Sequence, residues 1–154
     1  MNRCLFAFVA AALCLAAAPA LCTEPSPFAE GKALFESKCV TCHAIERSLA
    51  VQSDRAGWEA RIKRMIANGA KIDHAQSGQI VGYLTAKSAF ETKCNTCHDL
   101  QKPLTAIKNP EQWKATVQRM AAKPPKTISD ADAGAITLYL SLVTPVKPAA
   151  PAAK

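Results

Sequence analysis

Apolar residues recur along this chain at helical spacing, and they do so twice. Trp58, Ile62 and Met65 fall at i, i+4 and i+7, on one face of a helix, and Trp113, Val117 and Met120 repeat that pattern. Ile80, Tyr83 and Leu84 form a second apolar stripe at i, i+3 and i+4, matched by Ile136, Tyr139 and Leu140. Helix-start signals stand before each stripe. Asn109, Pro110 and Gln112 read as N-cap, first and third positions, and Asp54 takes the place of Asn109 in the earlier copy. Ser129 with Asp132, and Asp73 with Gln76, read as capping boxes. One more helix is predicted ahead of each pair, over 29–43 and 87–98. The pattern therefore predicts an all-α chain built from two three-helix units in tandem.

Residue identities support the duplication. Phe35-Glu36-Ser37-Lys38-Cys39 matches Phe90-Glu91-Thr92-Lys93-Cys94 at an offset of 55, which also pairs Leu49 with Leu104, Arg64 with Arg119 and Met65 with Met120. A one-residue insertion shifts the offset to 56, pairing Ile72 with Ile128, Gly78 with Gly134 and Tyr83 with Tyr139. A repeat at fixed spacing is one structural unit used again. The units are placed at 23–86 and 87–143. Neither Pro nor Gly stands between Leu84 and Cys94, so the third helix of the first unit is expected to run almost directly into the first helix of the second. Two packed units without a flexible linker follow.

The ends read differently. Residues 1–22 have the form of a signal peptide: Asn2 and Arg3, then an apolar run from Cys4 to Ala18, then small-x-small sites that place cleavage after Ala20 or after Cys22. The apolar run is short for a membrane span. The expectation is export, with no membrane span after cleavage; an uncleaved anchor is the alternative. From Thr144 to Lys154 the chain is mostly Pro, Ala and Lys, and it is expected to be a disordered tail.

Composition narrows the picture. A chain of 154 residues holds one ordinary domain or two very small ones. Units below about 70 residues usually need a covalent or metal staple beside their core. The net charge of +7 comes from scattered Lys and Arg with no dense basic run, so no nucleic-acid partner is read from it. A solvated surface is the plain reading of those charges, and a basic rim steering an acidic redox partner is the functional one.

The candidate chemistry lies in a five-residue motif present twice: Cys39-Val40-Thr41-Cys42-His43 and Cys94-Asn95-Thr96-Cys97-His98. Cys-x-x-Cys-His is the attachment sequence of c-type haem. Two thiols three residues apart lie on one helical turn and can bond the two vinyl groups of one porphyrin. At these residues the chain resembles the c-type cytochromes, in particular small exported dihaem ones. The rival readings of a Cys-x-x-Cys pair are a redox disulfide and, for two pairs together, a zinc site. Neither requires a His after each pair or a Met at a fixed distance behind it.

The resemblance implies two covalently bound c-type haems, held by Cys39 and Cys42 and by Cys94 and Cys97, in an all-α fold of two cytochrome c-like units. It implies His43 and His98 as proximal iron ligands and Met65 and Met120, each 22 residues past its motif His, as distal ones. Met packed as core filler is the alternative. His74 is an alternative axial ligand for the first haem. It follows Asp73 at the first position of a capped helix, where side chains face solvent. Trp58 and Trp113 offer an indole N–H to a haem propionate, or else pack on the ring. Arg64 and Arg119 offer a guanidinium to a propionate, or else form a solvated face.

The expected function is that of a periplasmic electron carrier, not an enzyme. Single electrons pass between redox protein partners, and the donor and acceptor are not identified. No residue set resembles a nucleophile with its base, a phosphate loop or a second metal site, so no catalytic residues are assigned. Two other readings stay open. The Trp…Arg-Met…Tyr-Leu pattern is similar to the dihaem cytochrome domain of quinohaemoprotein amine dehydrogenases, which points to a subunit accepting electrons from a larger dehydrogenase. A haem-based sensor or peroxidase with one labile distal ligand is the other.

Overall fold

The computed structural model describes residues 26–146, and these are all-helical. The proposed signal peptide and residues 147–154 lie outside the described part. Helix α1 spans Pro27–Lys38, α2 Glu46–Leu49, α3 Arg55–Ala67, α4 His74–Cys94, α5 Gln101–Leu104, α6 Pro110–Ala121 and α7 Asp130–Val143. Among the described residues no helix is long and apolar enough to cross a membrane.

The start signals act as expected. The Asp54 carboxylate accepts from Gly57 N at 2.8 Å, opening α3. Reciprocal capping boxes open α4 through Asp73 and Gln76, α6 through Asn109 and Gln112, and α7 through Ser129 and Asp132. Each satisfies backbone donors that a helix start leaves unpaired. Gly69 closes α3 with φ +101. Its N–H reaches Ile66 O at 2.9 Å, and Ala70 N–H reaches Met65 O at 3.0 Å, the paired bonds of a left-handed helix stop.

Two expectations need correction. The helix expected over 29–43 begins at Pro27, capped by Ser26, and its α-helical part stops at Lys38. Cys39–Thr41 continues as one 3-10 turn. The helix expected to reach residue 98 likewise stops at Cys94. The remainder of each motif therefore lies beyond its helix, where its side chains are not committed to helical spacing. The loops after the motifs also carry α2 and α5, each of four residues. Elements that short show no periodicity in sequence.

Helix α4 organises the molecule. It is one 21-residue helix in which the third helix of the first repeat and the first helix of the second are fused. The boundary placed between residues 86 and 87 falls inside it. Helices α1, α3 and α7 all pack on α4, and α6 packs on α7. Both halves share one hydrophobic core, running from Phe35 and Trp58 through Leu84 and Phe90 to Trp113 and Leu140.

Tyr83 shows how the fusion works. As the third-helix tyrosine of the first repeat it packs against Phe28 and Phe35, with ring centroids 5.9 Å away in both cases. It also stands 55 residues after Phe28, so it takes that residue's part in the second repeat. There it meets Tyr139 at 6.0 Å, and Phe90 meets Tyr139 at 5.2 Å. Burial is the main reason both phenols are held above their ordinary range, Tyr139 at about 12 and Tyr83 higher. Neither ionises near neutral pH.

The repeated Lys-x-x-x-Glu pair also changes character at the junction. Lys32 and Glu36 form an i,i+4 ion pair at 2.6 Å on the surface. Their counterparts Lys87 and Glu91 meet at 2.5 Å with side-chain exposures of only 10% and 22%. Lys87 Nζ also donates to Leu49 O at 3.2 Å, tying the second repeat's helix to the loop of the first. A buried ammonium needs such partners, since leaving it unpaired is costly.

Helices α1 and α4 approach closely at Gly31. A Cβ there would lie 2.2 Å from Gln79 O, against backbone that cannot step aside. Gly31→Ala is expected to cost about 1–3 kcal/mol in urea unfolding. An unchanged midpoint would mean that α1 can move off α4 freely.

The expected tail starts too early. Thr144 is buried, donates to Leu140 O at 2.6 Å and accepts the Trp113 indole N–H at 2.8 Å. Pro145 O accepts from Lys108 N at 3.3 Å. A hydroxyl two bonds from the backbone suffices to hold the chain to the core past the last helical turn.

Candidate functional site

A cavity of about 450 Å³ opens beside the first motif. Cys39, Cys42 and His43 enter it from the turn after α1; Trp58, Arg64 and Met65 enter from α3. The sequence-predicted residues of the first unit, His74 excepted, thus converge on one space. Phe35, Ile62 and Leu84 supply apolar wall, the last from α4. Lys38, Arg47 and Arg61 join Arg64 as cations, and the lining contains neither Asp nor Glu. The volume lies within the ~300–1,000 Å³ usual for cofactor and ligand pockets.

The two His are held alike. His43 Nδ1 lies 3.0 Å from Ala44 O, and His98 Nδ1 lies 3.0 Å from Asp99 O. A carbonyl oxygen only accepts, so this contact places a hydrogen on Nδ1, and in the neutral ring Nε2 then keeps its lone pair. That is the tautomer a metal-binding imidazole needs, oriented by a backbone partner.

The thiols differ within each motif. Cys39 and Cys94 are half-buried, whereas Cys42 and Cys97 are exposed. Burial pushes the Cys39 thiol up. Cys94 is pushed up to about 11, by burial first and by Cys97 second. Thr41 donates to Lys38 O at 2.8 Å and stands 3.6 Å from Cys42 Sγ. Thr96 does the same with Lys93 O, at 2.9 Å, and with Cys97 Sγ, at 3.6 Å. Their identity in both copies was the available sign of this role. Among the described residues all four cysteines are free, and no three His, Cys, Asp or Glu side chains cluster for a metal ion.

Met65 and Met120 are both half-buried near the ends of α3 and α6. The left-handed stop at Gly69 ends α3 just behind Met65, leaving that side chain at the cavity wall. The second copy has Pro124 where the first has Gly69, so another device ends α6. His74 is exposed at the first position of α4 and is not among the cavity's lining residues.

The tryptophans carry a geometry the sequence did not suggest. Trp58 Nε1 donates to Ser88 Oγ at 3.0 Å, and Trp113 Nε1 donates to Thr144 Oγ1 at 2.8 Å. Ser88 and Thr144 are counterparts at the offset of 56. An indole has a single N–H, and here it is engaged inside the protein. A propionate contact from either Trp would require that bond to break, so packing is the role these positions favour. Arg64 does line the cavity, and Arg119 is exposed at the matching place on α6. Cys94, Cys97 and His98 stand at the end of α4 and just beyond it, as Cys39, Cys42 and His43 stand after α1. In comparisons with family models, curated proteins and solved structures, nothing matches the chain.

Proposed function

We propose that the chain is an exported, periplasmic dihaem c-type cytochrome that carries single electrons between redox protein partners. One observation carries the reading for the first unit, and the sequence repeat extends it to the second: Cys39, Cys42, His43 and Met65 line a single cavity of about 450 Å³ whose cations have no acidic neighbour in the lining. Such a space fits a flat apolar macrocycle with two carboxylates at its edge.

Each residue then has a task. Cys39 and Cys42 would hold the macrocycle by thioether bonds, and Cys94 and Cys97 would do so in the second unit. His43 and His98 present Nε2 as donor, because Nδ1–H is held by a backbone carbonyl. Met65 and Met120 would offer soft thioether sulfur to the iron. Arg47 and Arg64 would supply charge for carboxylates. Bound haem would supply the chemistry, an iron alternating between Fe(II) and Fe(III). The apolar wall of Phe35, Ile62 and Leu84 would face the macrocycle and lower the reorganisation that a change of charge demands.

The test is a visible spectrum of the purified, reduced protein before and after carbon monoxide. Covalent haem that survives denaturing extraction, with an unchanged spectrum under carbon monoxide, is the expected outcome. A clear shift in one haem would replace the carrier by a sensor or peroxidase with a labile ligand. Absence of covalent haem would remove the reading altogether.

A further inference from the structure

Each tryptophan carries a cation on its ring face, but the two cations come from different places. Arg61 Cζ stands 6.0 Å from the Trp58 centroid. The repeat counterpart of Arg61 is Thr116, which has no charge. In the second unit Lys108 Nζ stands 4.9 Å from the Trp113 centroid instead. It donates to Thr116 Oγ1 at 2.6 Å. The counterpart of Lys108 in the first unit is Ser53, also uncharged. Position for position the repeat breaks, yet a positive charge on the indole is present in both units. The threonine in Arg61's place draws the lysine to that seat.

The seat itself is rigid. The indole N–H bonds to Ser88 and Thr144 fix both rings in plane and direction. Trp58 and Arg61 both line the first cavity. A cation over an indole face is attracted by the ring's quadrupole, so its position is held by more than a flexible stem.

We infer that Arg61 and Lys108 are positioning residues for charge: Arg61 fixes a positive charge at the first redox site, whose cavity it shares with Trp58, and Lys108 does so at the second, where Trp113 repeats Trp58, each through its bonded tryptophan. This rests on the dihaem reading. One-electron reduction makes a site less positive, so a fixed neighbouring cation favours the reduced state by Coulomb interaction. The two should differ in screening. Arg61 is exposed, and Lys108 is half-buried between its loop, Trp113 and Thr116. Salt screens an exposed charge far more than a buried one.

A stepwise reductive titration of the full-length protein, followed in its visible spectrum, tests this. Arg61→Gln and Lys108→Met are each expected to lower the potential of one step, and of different steps. Arg61→Lys and Lys108→Arg should stay close to the parent. High salt should shrink the Arg61→Gln shift and leave most of the Lys108→Met shift. Two neutral variants with unmoved potentials would overturn the inference while covalent haem still upheld the function. So would charge-keeping variants that shift as far as neutral ones, since packing would then be the cause. A chain without covalent haem would overturn the functional reading, and this inference with it.

Discussion

Tyr83→Ala is expected to lose about 3–5 kcal/mol of stability, the range for emptying a large aromatic site in a core. It is also expected to weaken both halves in one transition. Tyr83 is 5% exposed and touches Phe28 and Phe35 from the first repeat and Tyr139 from the second. Its helix cannot melt in one half alone without pulling Ser88 from Trp58 and Lys87 from Leu49 O. Thermal unfolding followed by near-ultraviolet and far-ultraviolet dichroism should therefore give coincident curves. Separate transitions, with the second half surviving, would show two independent units joined by a passive helix.

Replacing both Cys94 and Cys97 with alanine is expected to remove half of the covalently bound haem, and replacing Cys39 and Cys42 the other half. Haem absorbance per chain under denaturing conditions measures this directly. The two losses should differ in their effect on folding. The first site shares its wall with Phe35, Ile62 and Leu84, which also belong to the buried core. Emptying it exposes core surface, so the Cys39/Cys42 variant should also lose more stability by several kcal/mol, on the scale of burying a few large apolar side chains. Undiminished haem in either variant would mean that those thiols do not hold it.

Much of the fold could be read in advance because its signals are local. A capping box spans four residues and an apolar stripe a few turns, so Asp73, Asn109 and Ser129 mark their helices without outside help. The unbroken run from Leu84 to Cys94 likewise announced that no linker separates the two helices, though not that they are one continuous helix across residues 86 and 87. Other features were not legible in this way. Helices α2 and α5 are too short to show a period. The motif's departure from α-helix at Cys39 depends on the turn that follows. The partners of Trp58 and Trp113 lie 30 and 31 residues away, beyond any local pattern.

The candidate site divides along the same line. Residue types and their spacing were readable along the chain: paired thiols, an adjacent imidazole and a later thioether, present twice. So were the all-α character and the duplication. Packing is what brings Met65 to the same space as Cys39, Cys42 and His43, leaves His74 out of it and engages the indole N–H groups within the protein. It also decided that Lys87 is buried while Lys32 is not, and that Lys108 takes the seat Arg61 holds in the other unit. The fused helix accounts for this division. Spacing along the chain settles which side chains share a helix face, but what that face meets depends on how α1, α3 and α7 pack around α4.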